Sequence, residues 1–596
     1  MKKVFYLSIL SLMLCFSCAD DRQKNNTLNL YLSEIIPGVD PITIRDRHSH
    51  EIARQIYDGL YEYNYVKSSF QLYPVLAEAM PEVSKDGLTY TIKLKKGVRF
   101  SDDPCFKNNN GKGRELVADD VVYSLKRSIV TPETQSMFFS MALVEIIKGA
   151  DEFKKNSAGK KDLGINEEIE GLKALDKYTV QFNLKKTASF FPVILIRPNA
   201  FIVPREAVEY YGTEFKYHPV GSGAFMVQNW EKDTEKNLKI SLVKNPNYKH
   251  GKFPSFDGSP DEDTTLLRYA GKEIPFMDKI VYHVLLDDAP RWMNFNKGLI
   301  DIVILDKDSY FDAFPTSGNL SKSLENKGIH VHKTPRLETT YFSFNMEDKV
   351  IGKNKYLRQA IALAYDGKKH NALFYNNQAV VANWLIPPGI FGFDPNYKNP
   401  YRQHDIEKAK KLMAKAGYPE GKGLAPLNML LTDSIASKQI GEFFAKSLSE
   451  IGVKINFTPM NLAKLDDEVS NKRNYQILSF QWKADIPIPE DFLRLLYSKA
   501  VYPGPNDSRF KNAEYDNLFE KVSVMKEGPD KLKLLARMRA IAEEECPLMT
   551  LVNPHVIRLS QPYIENYRPH IIIDNMYKYV KINSELREEV HKKYYR

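Results

Sequence analysis

The chain has 596 residues, of which 43% are hydrophobic and 27% charged, with 34 tyrosines and 32 phenylalanines. That apolar content suffices for several large cores and excludes an intrinsically disordered chain. The net charge is +9, yet the basic residues are scattered with no run of five, which reads as a solvated surface and argues against a nucleic-acid footprint, because phosphate binding concentrates lysine and arginine on one face.

In chain order, Lys2 and Lys3 form a basic segment, Val4 to Phe16 an apolar one, and Ser17, Cys18 and Ala19 follow. The apolar stretch falls short of the ~20 residues that span a bilayer, so residues 1–17 are predicted to be a secretory signal peptide. Its end resembles the lipobox of bacterial lipoproteins, although Cys15 and Phe16 stand where that family usually has Leu and a small residue. The resemblance implies lipidation of Cys18 and an anchored linker over 18–26. No later segment approaches 18 apolar residues in a row, so the mature chain is expected to be soluble apart from that anchor. Its remaining cysteines, Cys105 and Cys546, leave room for one disulfide and exclude a disulfide framework or a cysteine-rich zinc site.

Leu88, Tyr90, Ile92 and Leu94 alternate with polar residues after the turn signal Asp86-Gly87, which predicts a half-buried strand stopped at Lys96-Gly97. Residues 102–115 are rich in Asn and Gly and read as a surface loop. A helix is predicted from Ala118 through Val121, Val122 and Leu125. Alternation returns at Tyr178–Leu184 and at Ile280–Leu286, on either side of a polar loop at 252–265. Asp405 is positioned to cap a helix with Ile406, Ala409, Leu412, Met413 and Ala416 on its apolar face, and Gly417 stops it. Another helix is predicted around Leu532–Ile541. The sum is a mixed α/β chain without internal repeats.

A series of short stretches then runs in the order known from one family. Val39-Asp40-Pro41 precedes Ile56-Tyr57-Asp58-Gly59-Leu60, Pro74-Val75-Leu76-Ala77-Glu78 and Leu94-Lys95-Lys96-Gly97-Val98-Arg99-Phe100. Next come Pro219-Val220-Gly221-Ser222-Gly223-Ala224-Phe225, Asn245-Pro246-Asn247-Tyr248, Lys297-Gly298-Leu299-Ile300-Asp301 and Leu357-Arg358-Gln359-Ala360. The series closes with Lys408–Pro419 and with Gln481-Trp482-Lys483-Ala484-Asp485-Ile486-Pro487-Ile488-Pro489-Glu490-Asp491-Phe492-Leu493. Over nearly the whole mature chain this resembles the family 5 extracytoplasmic solute-binding proteins, which include oligopeptide- and dipeptide-binding proteins of ABC importers. It departs from them in the lengthened loop at 102–115 and in lacking a Trp after Tyr248.

The resemblance implies an α/β, two-lobed periplasmic-binding-protein fold of the large, type II-like kind, with ligand between hinged lobes. Lobe I is expected over 27–305 with an extra subdomain at about 67–200, lobe II over 306–549, and 550–596 would return to lobe I. Function would be capture of short peptides on the periplasmic side of a bacterial membrane, by a lipid-anchored monomer serving permease and ATPase subunits. A non-transport peptide sensor or chaperone on the same scaffold, and a binder of nickel or haem, are the alternatives.

A binder of varied peptides has to recognise what they share, and adding the peptide as a strand satisfies its backbone with protein backbone. The ammonium end needs a fixed anion, and the resemblance assigns that role to Asp485. It makes Trp482 a cleft wall and has Gln481 and Phe480 offer main-chain groups, with Ser33, Glu34, Ile35 and Ile36 doing so from the other lobe. Arg336, Lys333 and Arg494 are candidates for the carboxylate end. His48-x-His50 and His330-x-His332 would share one side of an extended strand but lack further ligands, so no metal site is expected. Asp261-Glu262-Asp263 reads as a solvated loop. No nucleophile elbow, protease cysteine signature or phosphate-binding loop occurs, so neither catalysis nor a cofactor is expected.

Overall fold

A computed structural model describes residues 26–44, 46–131, 143–157, 160, 166–188, 190–230, 239–315, 318–469, 475–484, 486–501, 504–569 and 576–595. The predicted signal peptide, Cys18 and Asp485 lie outside them. The chain divides into two compact units, Met1–His332 with Ile557–Arg596, and Lys333–Val556.

Unit 1 opens with β1 (Thr27–Leu32), where alternation buries Leu28, Leu30 and Leu32 on one face. Helix α1 (Arg47–Ile56) follows, capped by Asp46, which accepts from the Ser49 N–H at 2.7 Å. A four-stranded antiparallel sheet comes next, from β2 (Glu82–Val83), β3 (Thr89–Lys93), β4 (Leu172–Asp176) and β5 (Thr179–Asn183) in the order β2-β3-β5-β4, with α2 (Ala118–Val130) packed on it. Then β6 (Phe225–Trp230), β7 (Lys239–Lys244) and β8 (Lys279–Val284) extend β1 into a sheet of order β1-β8-β7-β6, with β1 parallel to β8. The strands predicted at 88–94, 178–184 and 280–286 form as β3, β5 and β8, within two residues at either end. Short strand β9 (Ile302–Ile304) ends this part.

The glycines of the 219–225 stretch are demanded by a close approach. Gly223 donates its N–H to the Ile56 carbonyl at 2.8 Å, and a Cβ on Gly221 would stand 2.1 Å from the same oxygen. Two of the family-like stretches thus lock onto each other.

Strand β10 (His330–Pro335) carries the chain into unit 2. There β11 (Glu338–Phe344) is buried along its whole length. Around it lie α3 (Lys355–Ala364), α4 (Ile406–Lys415), β12 (Leu427–Thr432), α5 (Ile435–Ser449), β13 (Ile455–Met460), β14 (Ile477–Lys483), α6 (Pro529–Glu545) and β15 (Leu548–Thr550). The sheet order is β13-β12-β14-β11-β15, and its core includes Phe342, Leu357, Ile361, Met413, Leu431 and Phe444. Helix α4 ends as its local signals predict: Asp405 accepts from the Lys408 N–H at 2.9 Å, and Gly417 takes φ +87°. Arg358 is 1% exposed and donates to the carbonyls of Ile351, Gly352, Glu545 and Cys546, fastening the end of α6 to α3.

The chain returns on β16 (His555–Ser560) and closes with α7 (Ser584–Tyr594). Asp301 is the fully buried hub of this return. It accepts from the Asn29 N–H at 2.6 Å, the Tyr563 hydroxyl at 2.8 Å and Arg587 Nη2 at 3.0 Å, tying α7 to β1. The units divide after His332 and Val556, where the resemblance implied 305 and 549. Residues 306–332 stay with unit 1 because Ala313, Leu324 and Ile329 share one core with Phe295, Ile300, Val303 and Leu559. Cys105 and Cys546 are buried, free thiols. Among the described residues no helix is long and apolar enough to cross a membrane.

Candidate functional site

Strand β14 carries the Gln481-Trp482-Lys483 stretch, and its pairing decides which backbone groups are spent. The Ala484 N–H donates to the Leu337 carbonyl at 2.7 Å, and the Asn345 N–H donates to the Gln476 carbonyl at 2.9 Å. With the antiparallel register Thr339↔Trp482 and Tyr341↔Phe480, alternation turns the main-chain groups of Leu478, Phe480 and Trp482 toward β11. Those of Gln481 and Lys483 turn to the other edge. There β12 pairs only through Met429↔Ile477 and Leu430↔Leu478. Beyond Leu478, no described strand runs alongside β14, so Gln481 and Lys483 present their N–H and C=O groups on an open edge. Such an edge is a template for an extended chain.

Phe480, expected to offer main-chain groups, does not. Its backbone faces Tyr341, and its half-buried ring packs on the cluster of Leu430, Met460, Leu465, Tyr475 and Leu478. Trp482 is half-buried and held on two sides. Its Nε1 donates to Asp491 Oδ2 at 3.2 Å, and the Arg494 guanidinium lies 4.9 Å from the ring centroid. Arg494 also approaches Asp491 Oδ1 at 3.4 Å, so three residues of one stretch set the orientation of the indole. Ala484 and Ile486, flanking Asp485 in sequence, are both buried.

In unit 1, the Ser33–Ile36 segment directly follows β1. The Ser33 N–H donates to His48 Nε2 at 3.2 Å and its Oγ lies 2.7 Å from the same nitrogen, so the expected main-chain donor is already spent. Ile36 is a core residue, whereas Ile35 is 65% exposed and Glu34 lies at the surface. Desolvation, and then the nearby Asp46 carboxylate, push the Glu34 carboxyl above its ordinary value.

The proposed carboxylate partners are engaged elsewhere. Lys333 Nζ donates to Gln378 Oε1 at 3.0 Å, Arg336 lies 3.4 Å from Glu338, and Arg494 is held as described. The residue missed at the sequence level is Arg558 of β16. It is 7% exposed, and its Nε and Nη1 are buried without a hydrogen-bond acceptor among the described residues. Its signal was a lone charge in the otherwise apolar run Val556-Ile557-Arg558-Leu559.

His48 and His50 lie two residues apart on α1, not on a strand, so their rings leave different faces of the helix. His330 and His332 do share a strand, with ring centroids 6.4 Å apart, and His332 Nε2 lies 2.9 Å from Ser560 Oγ. Within the acidic loop, Asp261 accepts from the Ser69 hydroxyl, Glu262 from the Asp257 and Gly258 N–H groups, and Asp263 from Thr265. Among the described residues no cluster of three His, Cys, Asp or Glu could hold a metal ion.

Comparison with known proteins matches the chain to one family and its fold. The profile "Bacterial extracellular solute-binding proteins, family 5 Middle" matches residues 71–504. Heme-binding protein A of Haemophilus influenzae is 25% identical over 567 residues, covering 91% of this chain and 90% of the relative. The dipeptide-binding protein of Escherichia coli is 24% identical over 522 residues, 86% of each chain. Among solved structures, the periplasmic binding protein DppA of Helicobacter pylori, in complex with the peptide STSA, superposes with a TM-score of 0.69 at 22% identity, covering 95% of this chain and 99% of its own. At that identity the likeness shows the fold, the mixed α/β two-lobed architecture expected from the sequence.

Proposed function

Because the chain belongs to family 5 of the bacterial extracellular solute-binding proteins, we propose that it is the substrate-binding component of an ABC importer, capturing short peptides and delivering them to the permease. The family is one of binding proteins. The observation that carries the peptide reading is the open edge of β14 at Gln481 and Lys483. A peptide laid along it would satisfy its backbone as an added strand whatever its side chains. Asp485, two residues beyond Lys483, would take the ammonium end through a charge-assisted bond of about 1.5–3 kcal/mol. The clamped indole of Trp482 would form a wall beside it. Glu34 and Ile35 lie at the surface of unit 1. The dipeptide-binding relative and the peptide-loaded structural neighbour support the same reading.

In this reading residues 1–17 direct export, Cys18 carries the lipid, and the protein works as a monomer on the periplasmic side of the membrane. Residues 67–200 form the extra subdomain, and ATP hydrolysis belongs to partner subunits. Replacing Asp485 by Ala is expected to weaken peptide binding by about tenfold or more, with an unchanged melting temperature. Calorimetric titration of both proteins checks this, and equal affinities remove Asp485 from the site.

A second reading has one specific observation behind it, the relative named for haem. Native mass spectrometry and the absorption spectrum of the protein as purified separate the two: co-purified peptide masses support the first, a Soret band the second.

A further inference from the structure

Unit 1 contains a half-open pocket lined by, among others, Tyr31, Arg47, Glu51, Arg558, Tyr567 and Tyr577. Arg558 is held there by its strand: Ile304 pairs with Arg558 across β9 and β16, and the Leu305 N–H donates to the Ile557 carbonyl at 3.0 Å. Three other buried arginines have their acceptors, while Arg402 of unit 2 also leaves Nε and Nη2 without one among the described residues. Arg127 grips Asp40 at 2.9 Å, Arg587 grips Asp301 at 3.0 Å, and Arg358 is satisfied by carbonyls. Arg558 has none for Nε and Nη1 among the described residues. A buried guanidinium left in that state costs several kcal/mol, a cost that an incoming anion would remove.

The neighbouring carboxylate is already committed. Glu51 Oε1 accepts from the Tyr577 hydroxyl at 3.2 Å, and Glu51 Oε2 lies 3.9 Å from Arg47. Arg47 and Arg558 both line the pocket with Glu51, and the tyrosine rings give it apolar walls. Burial, then His330 and Arg558, favour the neutral form of His332, and burial raises the Tyr567 hydroxyl, with Arg558 opposing that rise. A planar oxyanion is the group that matches unspent N–H donors on a rigid fork.

We propose that Arg558 is the carboxylate receptor of unit 1, taking the acid group of the bound solute. For its ligand this rests on the peptide reading, and the acid can come from a peptide's C-terminus or from a glutamate side chain. Three Ala-based tripeptides distinguish the two sources: the free acid, its C-terminal amide, and an amide with a central glutamate. Each is titrated calorimetrically into the mature chain and into its Arg558→Gln and Arg558→Lys variants. Benzoate and benzamide, followed by thermal shift, probe the same site without a peptide.

The expected result is a preference of about tenfold or more for a carboxylate-bearing peptide over the plain amide. That preference is lost in Arg558→Gln and reduced in Arg558→Lys. Preference for the free acid names the terminus; preference for the glutamate amide names the side chain. If no peptide binds, stabilisation of the parent protein by benzoate alone, absent in Arg558→Gln, keeps the receptor and removes the peptide reading. The proposal is overturned if Arg558→Gln discriminates as its parent does, or if the parent distinguishes neither the peptide acids from the amide nor benzoate from benzamide. The benzoate comparison on the parent decides even if a variant does not fold.

Discussion

Gly221, Asp301 and Arg358 all belong to stretches that carry the family likeness, and each holds the chain to itself. Gly221 lets its backbone approach the end of α1, Asp301 gathers α7 and β1, and Arg358 closes the end of α6. A methyl group on Gly221 meets the Ile56 carbonyl oxygen at 2.1 Å and the Tyr57 ring at 2.8 Å. Gly221→Ala is therefore expected to lower stability by roughly 1–3 kcal/mol, read from the urea midpoint, while the folded protein keeps its peptide affinity. An unchanged midpoint would mean that α1 can retreat at no cost.

At the scale of the element, β14 has two unequal edges. Its even-numbered residues are spent on β11, so the Gln481 N–H belongs to no ladder among the described residues. Proline is tolerated in a strand where its missing N–H faces outward. Gln481→Pro should then melt within a few degrees of its parent, yet bind peptide about tenfold or more weakly, since the added strand loses a hydrogen bond and meets the ring. Gln481→Ala keeps the N–H and should keep the affinity. Calorimetry on the two variants decides: a proline variant that binds like its parent rules out strand addition at this edge.

For the whole molecule, each unit holds a histidine that resists protonation, half-buried in unit 1 and buried in unit 2. Burial, then His330 and Arg558, hold His332 of unit 1 at about 4; burial, then Arg402, hold His370 of unit 2 at about 3. In the unfolded chain both return to about 6.5. Between those values the unfolded state binds protons that the folded state refuses, so stability is complete above about pH 6.5 and falls as the pH drops through that window. Each histidine should contribute about 2 kcal/mol of loss between about pH 7 and pH 5. Urea unfolding at the two pH values measures it, and His370→Gln should flatten the dependence of unit 2. A profile indifferent to that substitution would show that His370 titrates as if solvated.

The sequence by itself determined what depends on near neighbours in the chain. The period-two runs at β3, β5 and β8 and the capped helix α4 were legible because alternation, an Asp cap and a stopping glycine act within a few residues. The ordered stretches made the family and its fold legible too, and Asp485 rests on that resemblance alone. Only the tertiary structure decided which edge of β14 stays open, that the Ser33 N–H is taken by His48, and that Phe480 turns its backbone inward. It also decided that residues 306–332 stay with unit 1, and that Arg558 is buried without an acceptor among the described residues. Each of these depends on register or burial set by segments distant in sequence, which no local pattern encodes.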